Sequence, residues 1–252
     1  MNKDLHSQSA IVTGASHGIG RAIALSMAAA GARVVLAARK EHDLETVERD
    51  IRDNGGEAIV VRCHMGKEED IRDLVTAATT KFDKIDILVN NAATCPSYGP
   101  FIETTVDVWD KVMDVNLRGP FLLSCLAAAG MKERRRGRII NISSNEALDP
   151  NPSLGAYSIS KAALISMTKV LARDLGKYGV QVNCITPGLI KTRFSAPLFS
   201  DPEKYQHYMN RISLGRHGQP EEVAHMALFL ASYRGDFISG QTIAIDGGET
   251  MA

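Results

Sequence analysis

The sequence predicts an α/β fold, a doubly wound parallel sheet with helices on both faces, built as a single domain. Short apolar runs alternate with longer stretches of helical periodicity from Ala10-Ile11-Val12 to Thr242–Ile245. That alternation is the pattern of parallel strands joined by crossover helices. No linker, repeat or shift of composition divides residues 1–252, a length that fits one large α/β domain.

Composition narrows the function classes. Lys plus Arg and Asp plus Glu number 29 each, so no net charge calls for a nucleic-acid or membrane partner. Cys63, Cys95, Cys125 and Cys184 are scattered without paired spacing, which predicts buried thiols in a reducing compartment and neither a disulfide frame nor a zinc site. The seven histidines show no metal spacing. Met1 to Ser7 carries no apolar leader core, and no apolar run reaches spanning length. These readings predict a soluble, cytoplasmic protein.

In chain order, Ala10-Ile11-Val12 runs into Thr13-Gly14-Ala15-Ser16-His17-Gly18-Ile19-Gly20, and a helix follows with Ile19, Ile23, Met27 and Ala30 at near-helical spacing and Gly31 as its stop. In that strand–turn–helix context, the glycines let the backbone approach a pyrophosphate and the helix start offers unpaired N–H groups. The spacing is Gly-x3-Gly-x-Gly rather than the usual Gly-x-Gly-x-x-Gly. The strand Arg33–Ala38 ends without the carboxylate that grips the 2′-hydroxyl of NAD; Arg39 and Lys40 stand there instead, as a 2′-phosphate requires. NADP is therefore favoured, with NAD left possible by Glu41 and Asp43 nearby.

The alternation continues through a charged helix from His42 to Asn54 broken by Gly55-Gly56, a strand Ala58–Cys63, a helix Glu68–Phe82 and a strand Ile85–Val89 ending in Asn90-Asn91-Ala92-Ala93. Ligands of such sheets collect at the carboxyl ends of the strands. Asn91 and Ala92 are thus expected beside a bound dinucleotide, and the loop Cys95–Phe101 as a wall of a substrate pocket. A helix from Val106 to Asn116 runs on through Gly119-Pro120 to Met131, with a bend or break expected near Asn116. Lys132 to Arg138 holds five cations in seven residues, read as charges suited to a helix C-terminus.

The stretch from Arg138 to Lys169 carries the chemistry. Ile139–Ile142 reads as a buried strand ending at Ser143-Ser144, and a helix opens near Ala156 and continues to Tyr178. Tyr157 and Lys161, four apart, share one helix face. A free tyrosine is a poor acid or base at neutral pH, and an ammonium one turn away favours the phenolate. A serine hydroxyl at a neighbouring strand end would hold a substrate oxygen beside the phenol. The remaining elements are a strand Val180–Thr186, a segment from Thr192 to about Gly215 that breaks the alternation, a helix opening at Pro220-Glu221-Glu222, and the final strand.

With these pieces placed, the sequence resembles the short-chain dehydrogenase/reductase family over essentially its whole length. Thr13-Gly14-x3-Gly18-Ile19-Gly20 matches the family's cofactor turn, Asn90-Asn91-Ala92-Ala93 its Asn-Asn-Ala-Gly element, and Asn116, Ser144, Tyr157 and Lys161 its catalytic tetrad. Pro187-Gly188 with Ile190 and Thr192 matches the element that meets the nicotinamide carboxamide. The resemblance implies a Rossmann-type seven-stranded sheet of order 3-2-1-4-5-6-7 and a homotetramer built partly through the helices of Asn116 and Tyr157. Ser16 and His17 belong to the same cofactor turn. His64-Met65 replace the family's Asp near the adenine. Within the family, the closest look is to NADP-dependent carbonyl and retinal reductases.

The implied reaction is reversible hydride transfer between a nicotinamide and a ketone, aldehyde or secondary alcohol. Tyr157 is general acid/base, Ser144 a hydrogen-bond partner of the reacting oxygen, Lys161 the group that lowers the phenol pKa and holds the ribose, and Asn116 the anchor of a water relay. Residues 192–215, with Phe194, Leu198, Phe199, Tyr205 and Tyr208, are expected to form a lid. Tyr98, Glu146, Leu189 and Phe194 are expected to line the substrate pocket, Glu146 either recognising a hydroxyl or cation or facing solvent. Two other readings stand beside this one. A 3-oxoacyl-carrier-protein reductase would use Arg134-Arg135-Arg136 on an acidic carrier domain, and a non-catalytic NADP-binding sensor would have no use for Tyr157 and Lys161 together.

Overall fold

The computed structural model describes residues 4–251, the side chain of Lys204 aside. Met1–Lys3, part of the stretch read for a leader, lie outside the described residues. Strands β1 (Ser9–Thr13), β2 (Arg33–Ala38), β3 (Glu57–Arg62), β4 (Ile87–Asn90), β5 (Gly137–Ile142), β6 (Val180–Pro187) and β7 (Thr242–Ile245) form one parallel sheet of order β3-β2-β1-β4-β5-β6-β7. The expected order holds, and the strand sequence reverses direction across the sheet between β1 and β4. The helices are α1 (Gly18–Ala29), α2 (Glu41–Asp53), α3 (Glu68–Phe82), α4 (Val106–Met113), α5 (Gly119–Arg134), α6 (Gly155–Leu175), the short α7 (Ala196–Phe199), α8 (Pro202–Arg211) and α9 (Pro220–Ala231).

Successive strand residues point to opposite faces, so the apolar strands feed two cores. Ala10 and Val12 pack with Ile23 and Met27 of α1, Leu44 of α2 and Val223 of α9. Ile11 and Leu88 face the other way, onto Leu74 of α3 and Leu123 and Met131 of α5. Beneath the carboxyl edge a buried polar chain ties β4, β5, α5 and α6: Asn90 Nδ2 donates to Ser124 Oγ at 3.0 Å and Asn141 Oδ1 at 2.8 Å, and Asn141 Nδ2 to Thr168 Oγ1 at 2.8 Å.

Three local features differ from the sequence reading. Near Asn116, where a bend or break is expected, the helix is distorted but unbroken: a π-helical turn, Asp114–Arg118, joins α4 to α5. Pro120 lies two residues past this π-turn, inside the continuous helix, where the wider turn makes room for a ring that supplies no N–H. Gly119 is required there, because a Cβ would lie 2.2 Å from the Met65 carbonyl oxygen. The helix expected to reach Tyr178 ends at Leu175 and passes into a 3₁₀ turn, Gly176–Tyr178. Of the four thiols, Cys63 and Cys184 are buried, Cys95 is half-buried and Cys125 is exposed.

The continuous helix Val106–Arg134 has the length and hydropathy of a membrane span, contrary to the expectation that no run would reach it. Val112, Leu123, Ala127 and Met131 are nonetheless packed in the fold. The basic run closes α5 and opens β5: Arg134 donates to the Ile85 carbonyl at 2.7 Å, Arg135 to the Lys177 carbonyl at 2.9 Å, and Arg138 pairs with Asp236.

Candidate active site

A cleft of about 450 Å³ opens at the carboxyl edge of the sheet, where the strand order reverses. Its floor is the turn after β1. Gly14 sits at φ +67°, and a Cβ there would come within 2.7 Å of Asn91 Nδ2. Thr13 and Asn91 lock this turn to the end of β4. The Asn91 and Ala92 N–H groups donate to Thr13 Oγ1 at 3.0 and 3.1 Å, and Asn91 Nδ2 to the Thr13 carbonyl at 2.8 Å. Ser16, His17, Gly18, Ile19 and Gly20 line the cleft where α1 begins, and no side chain caps that helix. Its first N–H groups are left for an anion. A glycine cradle, an uncapped helix start and cations at one end fit a dinucleotide.

Those cations are Arg39 and Lys40, both exposed at the end of β2 on the cleft wall, with Asp43 close by. His17 Nε2 lies 2.6 Å from Arg193 Nη1 and 3.6 Å from Asp43. His64 and Met65 also line the cleft. Among the described residues no group of three or more His, Cys, Asp or Glu could hold a metal.

At the other end, Tyr157 and Lys161 rise one turn apart on α6, both lining the cleft. Ser144 follows β5, caps the 3₁₀ turn Asn145–Ala147 by accepting from the Glu146 N–H at 3.2 Å, donates its own hydroxyl to Asn145 Oδ1 at 3.2 Å, and stands near enough to the Tyr157 phenol to act on its pKa. Tyr157 keeps part of its surface open to the cleft, yet enough protein surrounds it that burial pushes its pKa well above 10. The Ser144 hydroxyl pulls the other way, and Cys95 and Glu146 nearby push upward with burial. Lys161 is buried, and burial lowers its pKa to about 8.

The expected lowering of the phenol by Lys161 is therefore not seen. Lys161 Nζ donates to the Ile142 carbonyl at 2.7 Å and stands 5.7 Å from the Tyr157 ring centroid, so the ammonium faces the end of β5 and desolvation of the phenol prevails. The chain by itself keeps Tyr157 protonated, the form that can donate. Asn116, fully buried in the π-turn, also has an occupied amide. Its Oδ1 accepts from the Thr94 N–H at 2.8 Å, and its Nδ2 donates to the Thr94 carbonyl at 3.0 Å and Ser160 Oγ at 3.1 Å. It thus ties the loop after β4 to α6.

The remaining expected residues divide. Thr192 and Phe194 line the cleft, and the Phe194 ring lies 5.8 Å from that of Tyr157. Pro187 ends β6, and Gly188 packs so closely on Asp246 that a Cβ would meet it at 2.7 Å. Ile190 turns into the core beside α9, and Leu189 is buried against Tyr208 and Ile212. Tyr98 is exposed on the loop after β4. Glu146 is buried, with both carboxylate oxygens occupied: Oε2 accepts from the Asn151 N–H at 2.9 Å and Ser158 Oγ at 3.4 Å, and Oε1 from the Tyr208 hydroxyl at 3.4 Å. Sequence reasoning missed Glu249, whose carboxyl lies near Gly188 and is pushed up to about 7 by burial. Its place beyond the last strand gave no signal.

The fold and the cleft define a dinucleotide-binding protein of the α/β class. A family model described as enoyl-(acyl carrier protein) reductase matches residues 14–250. Dehydrogenase/reductase SDR family member 4 of Homo sapiens is 38% identical over 244 residues, 97% of this chain and 88% of that protein. The 3-oxoacyl-(acyl-carrier-protein) reductase of Synechocystis sp. is 39% identical over 249 residues, 98% of each. A crystal structure from Beutenbergia cavernae, described as an NAD(P)-dependent gluconate 5-dehydrogenase with NADP bound at low occupancy, superposes with a TM-score of 0.95 at 33% identity, covering 100% of both chains. The chain belongs to the short-chain dehydrogenase/reductase family and is an NAD(P)-dependent oxidoreductase of small carbonyl or alcohol substrates.

Proposed function

We propose that this enzyme is an NADP(H)-dependent reductase of ketones and aldehydes, reversible to secondary alcohols, with Tyr157 as its general acid/base. The observation that carries the reading is the convergence of Tyr157 and Lys161 on a cleft that also presents Arg39 and Lys40, with Ser144 beside the Tyr157 phenol. The NADP bound in the Beutenbergia cavernae relative supports the cofactor. A nicotinamide nucleotide, when bound, supplies or accepts the hydride.

The chain's own groups do the rest. Gly14, Gly18 and the start of α1 receive the pyrophosphate, Asn91 and Ala92 wall the nucleotide, and Arg39 and Lys40 pair with a 2′-phosphate. Pro187, Gly188, Ile190 and Thr192 form the turn at the carboxamide end. Tyr157 gives its proton to the oxygen of the carbonyl as it is reduced, and Ser144 hydrogen-bonds the same oxygen as charge develops. Lys161 holds the ribose and returns protons past the π-turn at Asn116. Residues 192–215 close the site as a lid, Phe194 facing Tyr157 and Tyr98 at the mouth.

The carrier-protein reading is supported by the Synechocystis relative but not by the basic run. Arg134–Arg136 precede β5, whereas Ser144 follows it, and six strand residues span about 20 Å. Exposed Val106, Phe121, Ile159 and Val170 on α4, α5 and α6 suit the homotetramer, and four free thiols suit the cytoplasm. A NADPH-consumption screen over ketones, diketones, quinones, retinal and acetoacetyl thioesters tests the assignment. Turnover with NADPH above NADH is expected, and failure to bind either nucleotide would overturn it.

A further inference from the structure

Glu146 is an odd residue to find unavailable to solvent or substrate. A buried carboxylate is disfavoured unless its oxygens are hydrogen-bonded, and burial does raise its pKa. Its three partners come from three different elements. The Asn151 N–H belongs to the loop that follows Ser144, Ser158 adjoins Tyr157 on α6, and Tyr208 belongs to α8 within the expected lid. The Glu146 backbone makes a fourth link, its N–H donating to Ser144 Oγ.

The lid side of this junction is well anchored. Tyr208 is buried on α8, packed with Leu189 and Ile212, and its hydroxyl reaches Glu146. One turn further along, Arg211 pairs with Asp149 of the same loop. The helix that would close over substrate thus rests on the turn that presents Ser144, through a residue that also holds the neighbour of Tyr157.

We propose that Glu146 is a positioning residue that couples the seating of α8 to the placement of Ser144 and Tyr157, so that the catalytic groups are aligned only when the lid is down. With Tyr208 in place, the carboxylate is pinned from the lid side, and its own N–H and Ser158 hold the serine turn against the start of α6. When α8 lifts, Glu146 loses its bond at Oε1 and the serine turn loosens. The proposal rests on the reading of residues 192–215 as a lid and of Tyr157 as the acid.

The test uses the full-length protein with NADPH bound and three variants: Tyr208→Phe, which removes only the hydroxyl, Glu146→Gln, and the double substitution. Amide hydrogen exchange should quicken several-fold over 143–151 in Tyr208→Phe, and over 202–211 in Glu146→Gln. With an acetoacetyl thioester and an aromatic diketone as probe carbonyls, Tyr208→Phe should lower kcat several-fold as well as raise KM. A lid that merely encloses substrate would move KM alone. In the double variant the second substitution should add little to the first. Exchange altered only within the substituted segment, or losses that multiply independently, would overturn the coupling. Tyr157→Phe run alongside separates the two claims. Retained turnover there would remove the reaction assignment, while the exchange result would still decide the coupling.

Discussion

Lys161→Met should leave the protein more stable and its turnover lost. The lysine is buried beneath the end of β5, where desolvation lowers its pKa from 10.5 to about 8. Keeping it charged at pH 7 therefore disfavours folding by about 3 kcal/mol relative to a lysine in water. Methionine fills similar space without charge. Against that gain, the Ile142 carbonyl loses the donor it holds at 2.7 Å, which costs about 1–2 kcal/mol. The net expectation is a gain of about 1–2 kcal/mol, or roughly 2–6 °C in Tm. The sign with pH follows from the lowered pKa. Between pH 8 and 10.5 the unfolded lysine holds more proton than the folded one, so wild-type stability rises with pH there and the advantage of methionine shrinks. Thermal melts of both proteins at pH 7 and pH 10 check this. A variant destabilised by about 2 kcal/mol or more at pH 7, or a gap that widens towards pH 10, would refute the reasoning that desolvation governs this group.

Three further outcomes follow from the same geometry. Gly119→Ala should lower stability by about 2–3 kcal/mol in urea unfolding, because its Cβ would meet the Met65 carbonyl at 2.2 Å and both are backbone-fixed. Arg39→Ala should raise KM for NADPH about tenfold or more and leave NADH nearly unchanged, since one charge-assisted phosphate contact is worth that factor; equal effects on both nucleotides would contradict it. Glu249 has a carboxyl raised by burial to about 7, so its contribution to stability is complete below about 4.5 and lost as pH rises through 7. Glu249→Gln should therefore gain in relative Tm between pH 5 and pH 8.

The strands and helices that set the sheet order could be read because each announces itself locally. Ile139–Ile142 is apolar and ends in serines, and the Gly14–Gly20 turn stands between a strand and a helix. What escaped depends on distance or burial. The π-turn at Asp114–Arg118 inserts a wider loop without changing composition, and only Gly119, pressed on Met65, betrays it. The direction of the Tyr157 pKa could not be read from a four-residue spacing, because desolvation, not the neighbouring ammonium, prevails. Glu146 reads in the sequence as a charge for a hydroxyl or cation or for solvent, yet it is buried, and one of its partners, Tyr208, is 62 residues away. Leu189 was expected in the substrate pocket, and the fold of α8 places it under Tyr208 instead.

The central claim is that the Tyr157 hydroxyl carries the proton of the reaction. Single-turnover oxidation of bound NADPH by a carbonyl substrate, compared between wild type and Tyr157→Phe, measures this most directly. The account predicts a fall of about a thousandfold in the rate with NADPH affinity unchanged. A Phe variant within tenfold of wild type would contradict it.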